Sequence, residues 1–424
     1  MRPSSIDTNN KIKQSLKNTK LRRLNQSCKV LELKVNVHQI PKEKLSEMYF
    51  AFTQAKWVVN DMLNSTDIFK YDYLEHKKVT HFDKDKNEVI SDITLSSVMH
   101  RALVQSKKQD IVTLSKIKKK GNKVGRLKFK KEVNCIPIIT GPWLKIRGNS
   151  HITIPGFANL KVYGLEQLLK YPNYELANAK FIKKASGLYI NISIMIEKDS
   201  KKREQTGKSV GLDFGIKDNI TTSEGEKFNC SVQESDHLKF LQRKLSKKEK
   251  GSKRYYNCLK QIKKEYEHLT NKKTDDSNKL IAYFLKDYDI VYFQDEQLSK
   301  WKKSNKGFAR VIQSSYLGRV KTKLLELEKS DRSYKISKWM PTTKYCPSCG
   351  VLNTIPLSER TYKCSCGYTE DRDVHASRNV KLFGSTKRAE CLEQASVEKL
   401  ASLALESSKV ESSFDETKNE DSTF

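Results

Sequence analysis

Four cysteines and three acids are the residues of this chain best suited to chemistry. Cys346-x-x-Cys349 and Cys364-x-Cys366, separated by a short loop, offer four soft thiolates, the ligand set that tetrahedral zinc favours. With no ligand position left open, such a zinc is expected to be structural. The second pair is tighter than the first, so an Asp or His could substitute for one thiolate. The acids are Asp213 in GLDFGI, Glu296 at the end of VYFQDE, and Asp373 in DRD. An acid between Leu212 and Phe214 lies in a buried strand, where an isolated carboxylate is too costly to stand without a partner, water or metal. Hard magnesium takes carboxylate oxygens and keeps several waters. Two such ions about 4 Å apart suit phosphodiester hydrolysis, activating water and steadying the leaving oxygen. Asp295 and Glu296 are adjacent, and neighbouring strand residues face opposite sides, so one of them can share a site with Asp213. Glu296 is the expected ligand and Asp295 the alternative. Arg372 and His375 flank Asp373 and are placed either to contact phosphate or to support structure.

The rest of the composition fits a polyanionic partner. Across 424 residues the net charge is +31, with 37% hydrophobic and 31% charged residues, enough for several domains with heavily charged surfaces. Lys and Arg on phosphates release counterions, which is the footprint of nucleic-acid binding. The densest basic run, Lys116–Lys131, contains Lys118, Lys119, Lys120, Arg126, Lys128 and Lys130. It is interrupted by Phe129 and two glycines and is expected to clamp a nucleic-acid backbone. A second basic stretch, Lys239–Leu269, offers Arg243, Lys244, Lys247, Lys248, Lys253 and Arg254. Arg319 and Arg372 complete the candidate phosphate contacts. An anionic membrane ranks lower, because no basic helix has an aromatic face and no lipidation signal is seen, and without a run of about 18 apolar residues no membrane span is expected. The start carries no apolar signal core. Nine cysteines, scattered apart from one cluster, suggest metal use in a reducing compartment. A soluble, cytoplasmic protein is expected.

The elements that must position these residues follow from periodicity. Val30–Val37 alternates as a strand, and Pro41 opens a helix whose Leu45, Met48, Phe52, Ala55, Val59 and Met62 form one apolar face. Tyr49 and Trp57 flank that face and are expected to pack. A second helix is predicted over 95–115. Short strands are predicted at Leu144–Arg147, His151–Ile154 and Asn159–Tyr163, with a longer one over Leu188–Ile196. This order suggests a β-barrel interrupted by a helical insertion. Strands carrying Asp213, over Tyr288–Phe293 and over Tyr334–Trp339 follow, with helices predicted over 239–269, 280–285 and 308–328.

Taken together, GLDFGI, the basic LSKKEKGSKRYY helix, VYFQDE, PTTKYCPSCG with KCSCG, and DRDVHASRN resemble the TnpB (OrfB) family of transposon-encoded RNA-guided nucleases. They equally resemble the related miniature type V-F CRISPR effectors. The resemblance runs from about residue 116 to 382, and more loosely back to residue 30. It implies an α+β multidomain chain: an N-terminal wedge β-barrel with an inserted helical recognition domain, then a RuvC-like ribonuclease H fold with an inserted zinc ribbon. The expected divisions are a flexible basic arm (1–27), the barrel (28–40 and 119–198) and the helical domain (41–118). The nuclease follows (207–340 and 369–384), with the ribbon at 341–368 and a disordered acidic tail at 385–424. The family's three acids fall on Asp213, Glu296 and Asp373. QDEQL departs from the acid-Asp/Asn-Leu common among relatives, which keeps Asp295 in view. The implied partners are a guide RNA and target DNA, double- and single-stranded, cut beside a short flanking motif by a monomer or a dimer. The alternatives are a nuclease-inactive RNA-guided repressor and a transposition accessory protein.

Overall fold

A computed structural model describes residues 5–82, 87–140, 143–157, 159–198, 205–304, 306–356, 358–388 and 390. The chain forms two compact units, Met1–Lys202 and Arg203–Phe424.

The first unit is built on a seven-stranded antiparallel sheet. Gln26–Val35 pairs along its length with Gly187–Glu197, which in turn pairs with Glu175–Lys184. Cys135–Ile138 closes one side, while Asn159–Tyr163, His151–Thr153 and Lys145–Arg147 extend the other. Leu188, Ile190, Ile192 and Ile194 are fully buried at every second position, the period of a strand with one face on a core. Helices Lys42–Asn64 and Ser97–Lys119 cover the sheet. The first buries Met48, Phe52, Ala55, Val59 and Met62, the stripe its spacing predicts, and Phe52 meets Phe181 of the sheet at 4.9 Å. Ser96 caps the second helix by accepting the Met99 N–H at 3.3 Å.

Three features of this unit differ from expectation. The basic arm is helical over Ser5–Leu24. The helical insertion also holds a hairpin, Lys78–Phe82 with Glu88–Asp92, whose His81 stacks on Trp57 at 3.8 Å. Alternation that short, broken by exposed polar residues, gives no strand signal on its own. Strands Cys135–Ile138 and Glu175–Lys184 complete the sheet where no strand was expected, because Pro137 breaks the short run of the first and charged residues interrupt the apolar run of the second.

The second unit holds a five-stranded mixed sheet. Its order is Lys227–Phe228, Ile220–Thr222, Ser209–Phe214, Ile290–Gln294, Ser333–Ile336. The first three strands are antiparallel, and the last two run parallel to Ser209–Phe214. Val210, Leu212 and Phe214 pack on one face with Val291 and Phe293 against helices Lys253–Asp287 and Leu317–Leu327. Period-two alternation then turns Gly211, Asp213, Tyr292 and Gln294 to the other face. A helix over 372–388 covers that face. Two glycines admit it. A Cβ on Gly211 would lie 2.1 Å from the Ser377 carbonyl oxygen, and one on Gly384 would lie 2.4 Å from Cδ1 of Tyr292.

The basic stretch expected as one helix is two, Asp236–Ser246 and Lys253–Asp287, separated at Gly251 with φ +96° and capped anew by Ser252. The helix expected over 308–328 likewise breaks between Lys306–Ser314 and Leu317–Leu327, where Ser231 bridges to Ser315. The tail expected to be disordered from residue 385 starts inside a helix that continues over 385–388, and the rest of it from residue 391, with most of the polar residues after Lys198, lies outside the described residues. Among the described residues no helix is long and apolar enough to cross a membrane.

Candidate active site

Asp213 sits one residue from the end of its strand, opposite Thr221 and one step beyond the Leu212–Phe293 pair. Gln294 ends the neighbouring parallel strand, and Asp295 and Glu296 follow it. Acids at the carboxyl ends of adjacent parallel strands are placed where open α/β sheets present their chemistry. Asp373 arrives on the first turn of helix 372–388, across the same face.

The charges of two of the acids reach the third, Asp213. Burial pushes the Asp213 carboxyl up to about 8, and the charges of Asp373 and Glu296 add to that, while the Phe214 N–H and Arg372 oppose it. The Glu296 carboxyl is likewise raised, first by burial, against the pull of Lys321. Like charges gathered at a half-buried site favour protonation unless a cation neutralises them. Hard carboxylate oxygens are the donors magnesium prefers, so Asp213, Glu296 and Asp373 fit that ion chemically. Among the described residues, the four cysteines form the one group of three or more candidate ligands whose ligand atoms all lie within 4.8 Å of one another.

The neighbouring acids have other partners. Asp295 pairs with Lys321 at 2.6 Å, and the same ammonium donates to the Glu296 main-chain oxygen at 2.5 Å. This holds the turn that carries Glu296 and gives Asp295 an ion-pair partner of its own. Asp371 caps helix 372–388 by accepting the N–H groups of Asp373 at 3.0 Å and Val374 at 3.1 Å. It also pairs with Lys227 at 3.0 Å. Burial works to raise the Asp371 carboxyl, but the hydrogen bonds from Lys227 and from the helix N–H groups outweigh it and hold the group low. The first acid of DRD is thus a cap, and the charge of the second reaches Asp213.

The flanking residues are tied into the fold. Arg372 donates to the carbonyls of Pro356 at 2.7 Å and Glu359 at 3.3 Å, tying helix to ribbon. His375 is fully buried, stacked on Tyr362 at 3.6 Å and within 3.1 Å of the Asn379 amide nitrogen, and burial lowers it to about 4. It is therefore a neutral packing residue. Asn379 donates onward to the carbonyls of Thr342 at 2.7 Å and Tyr345 at 2.8 Å, joining the helix to the chain entering the knuckle.

In the knuckle, Sγ of Cys346 lies 3.7 Å from that of Cys366, and Sγ of Cys349 lies 3.5 Å from that of Cys364. A zinc ion with bonds of about 2.3 Å in tetrahedral geometry needs sulfurs about 3.8 Å apart, so the four thiolates fit it without Asp or His. Gly350 (φ +75°) and Gly367 (φ +92°) follow the second cysteine of each pair in the left-handed region, which lets both turns close. Asn353 donates to Cys364 Sγ at 3.0 Å, the kind of outer support that orients a thiolate. The hairpin Thr361–Lys363 with Thr369–Asp371 runs directly into the helix of Asp373.

The predicted phosphate contacts are placed as follows. Lys118, Lys119 and Lys120 end their helix exposed, and Arg126, Lys128 and Lys130 lie exposed in the coil beyond, beside an exposed Phe129. In the second unit Arg243, Lys244, Lys247, Lys253 and Arg254 are exposed and Lys248 is half-buried. Arg319 lines a cleft of about 1340 Å³ with Lys239, Lys273, Lys302 and Arg310, reaching Leu298 and Ser299 just beyond Glu296. Desolvation, then the charges of Arg319 and Lys302, holds the Lys273 ammonium low. Lys273, Lys302, Lys321 and Lys227 give no sequence signal, because a lysine in a chain this basic stands out only once its neighbours are known.

Comparison with known proteins adds a family. Residues 326–380 match the family described as Cas12f1-like, TNB domain. The chain is 28% identical over 200 residues to a putative RNA-guided DNA endonuclease of Streptomyces pristinaespiralis, covering 46% of this chain and 49% of that protein. It is 26% identical over 216 residues to the putative RNA-guided DNA endonuclease InsQ of Escherichia coli K12, covering 46% and 53%. It is also 46% identical over 41 residues to the putative transposase A625R of Paramecium bursaria Chlorella virus 1, covering 10% of each. A solved Cas12f1–sgRNA–target DNA complex aligns with TM-score 0.48 and 12% identity over 84% of this chain and 99% of that one. The chain spans about half the length of the two endonuclease relatives. The family match falls on the knuckle and its flanks, and the endonuclease relatives align over some 200 residues, so the chain is similar to the TnpB and Cas12f1-like family.

Proposed function

We propose that this protein is an RNA-guided DNA endonuclease that hydrolyses phosphodiesters at Asp213, Glu296 and Asp373, beside a short flanking motif in the target. The observation that carries the reading is the convergence of the three acids on one sheet face, with Asp213 raised to about 8 by burial and its two neighbours. A structural protein gains nothing from that crowding, whereas a cation site needs it. The sheet order, with three antiparallel strands and then two parallel ones, supports a RuvC-like ribonuclease H fold. The seven-stranded sheet and its covering helices support the wedge and recognition parts. Magnesium, when held by these carboxylates, supplies charge neutralisation at the scissile phosphate and lowers the barrier to attack by water.

The chain's own residues do the rest. Lys321 fixes the turn of Glu296, Asp371 and Gly211 seat the helix of Asp373, and the zinc-held ribbon anchors that helix through Tyr362 and His375. The exposed lysines and arginines take guide and target backbones, while base pairing reads sequence. The test is to recover and sequence RNA from the purified protein, then offer DNA matched to it with magnesium. Guided cutting lost in Asp213→Ala supports the reading. Discrete RNA and target binding without cutting would replace it with a guided repressor.

A further inference from the structure

The segment between the last strand and the knuckle carries Lys338 and Trp339. Trp339 is 82% exposed, the most solvent-exposed large apolar side chain among the described residues. Burying an indole is favourable by a wide margin, so an exposed one on an ordered segment invites a partner. This segment is held from both sides of the candidate active site. Gln294, which ends the strand before Asp295 and Glu296, donates its amide to the carbonyls of Ser337 at 3.2 Å and Met340 at 3.0 Å, bracketing Lys338 and Trp339. Its carbonyl oxygen accepts from Thr342 at 3.1 Å. Asn379, on the helix of Asp373, grips Thr342 and Tyr345. The main-chain N–H of Trp339 donates to Ser337 Oγ at 3.3 Å. Lys338 lies 4.5 Å over the indole ring and is close enough to act on the Glu296 carboxylate. A cation and a flat aromatic face are thus fixed next to the acids by the same side chains that position the acids' own elements.

We infer that Trp339 is a stacking platform for a nucleobase of the DNA strand being cut, with Lys338 on an adjacent phosphate, so that the two residues set the register of that strand over Asp213, Glu296 and Asp373. Every base has a π face, so such a platform holds a single strand without choosing its sequence, as a guided nuclease requires. The inference rests on the proposed nuclease reading, and Trp339 is a positioning residue within it.

The test uses the full chain carrying Asp213→Asn, with single-stranded DNA in which successive bases are replaced by 2-aminopurine. One position is expected to be strongly quenched. Trp339→Ala abolishes that quenching, Trp339→Phe keeps most of it, and Trp339→Leu does not. In the otherwise native protein, Trp339→Ala raises KM for the strand by about 5- to 100-fold, with kcat changed only a few-fold and the melting temperature unchanged. Lys338→Gln lowers the salt slope of binding by about one. Quenching that survives Trp339→Ala would overturn the platform even if Asp213-dependent cutting stands. Quenching that depends on Trp339 in a protein with no cutting would leave the platform and remove the nuclease reading. Stronger quenching by the same sequence in RNA would overturn the assignment to the cut DNA strand.

Discussion

Gly211 lies so close to the Ser377 carbonyl that a Cβ there would stand 2.1 Å from the oxygen. The strand of Asp213 and the helix of Asp373 therefore meet backbone to backbone, and the separation of the two acids is set by a missing side chain. Gly211→Ala is expected to push the helix off the sheet, at a cost of about 1–3 kcal/mol from overpacking. A displacement of the order of 1 Å at a catalytic group costs about a hundredfold in rate. Calorimetry and single-turnover cleavage on the same preparation check both effects. Ser209→Ala, on the same strand, is the control and leaves the rate near native.

Asp295 and Glu296 separate by role. Glu296→Gln is expected to abolish detectable cleavage. Asp295→Asn loosens the pair with Lys321, whose ammonium is largely buried and whose partner is half exposed, so it costs only about 1 kcal/mol of stability and about tenfold or less in rate. If Asp295→Asn is the inactive variant and Glu296→Gln is not, the assignment of the ligand reverses.

The crowding of Asp213 predicts a pH dependence in metal-free protein. Its carboxyl is raised to about 8, against about 4 in an unfolded chain. Between those values the folded state binds the extra proton, so stability falls as pH rises from about 4 to 8. Asp213→Asn removes this slope, and at pH 8 in a chelator it melts higher than the native protein. Magnesium reverses the order by stabilising the native form alone. Melting curves across pH, with and without the ion, check the sign.

Zinc is expected to act on catalysis from a distance. Tyr362 of the ribbon stacks on His375, two residues after Asp373. Stripping the metal, or Cys349→Ser with Cys366→Ser, should release that stack. The expected result is loss of cleavage by at least tenfold while the circular-dichroism signal of the remainder is kept, with one zinc per chain in the native protein by metal analysis.

The acids and cysteines stand out in sequence because each follows a strand signal or a fixed spacing, and because the order of five motifs resembles a known family. Gly211 was visible as part of GLDFGI, but its purpose needed the helix that lies on it. Asp371 and Asp373 are chemically alike, and only the cap formed by Asp371 distinguishes them structurally. His375 read equally as phosphate contact or packing until its stacking on Tyr362 was known. Strands such as Glu175–Lys184 were missed because an antiparallel strand with one solvated face can carry charges at alternate positions without losing its pairing.

The basic residues are expected to divide by salt dependence. Replacing Lys118, Lys119 and Lys120 by glutamine should reduce the slope of log K against log salt by about one per lysine that touches a phosphate. Equilibrium binding of the co-purified RNA at several salt concentrations measures it, and an unchanged slope would remove that helix end from the interface.

The most direct measurement is cleavage of duplex DNA matched to the RNA that co-purifies with the protein, in magnesium, by native protein and by Asp213→Ala. The account predicts cutting of matched DNA at a fixed place beside a short motif, no cutting of unmatched DNA, and none by the variant. Equal cutting of matched and unmatched DNA, or cutting by Asp213→Ala at the native rate, would contradict it.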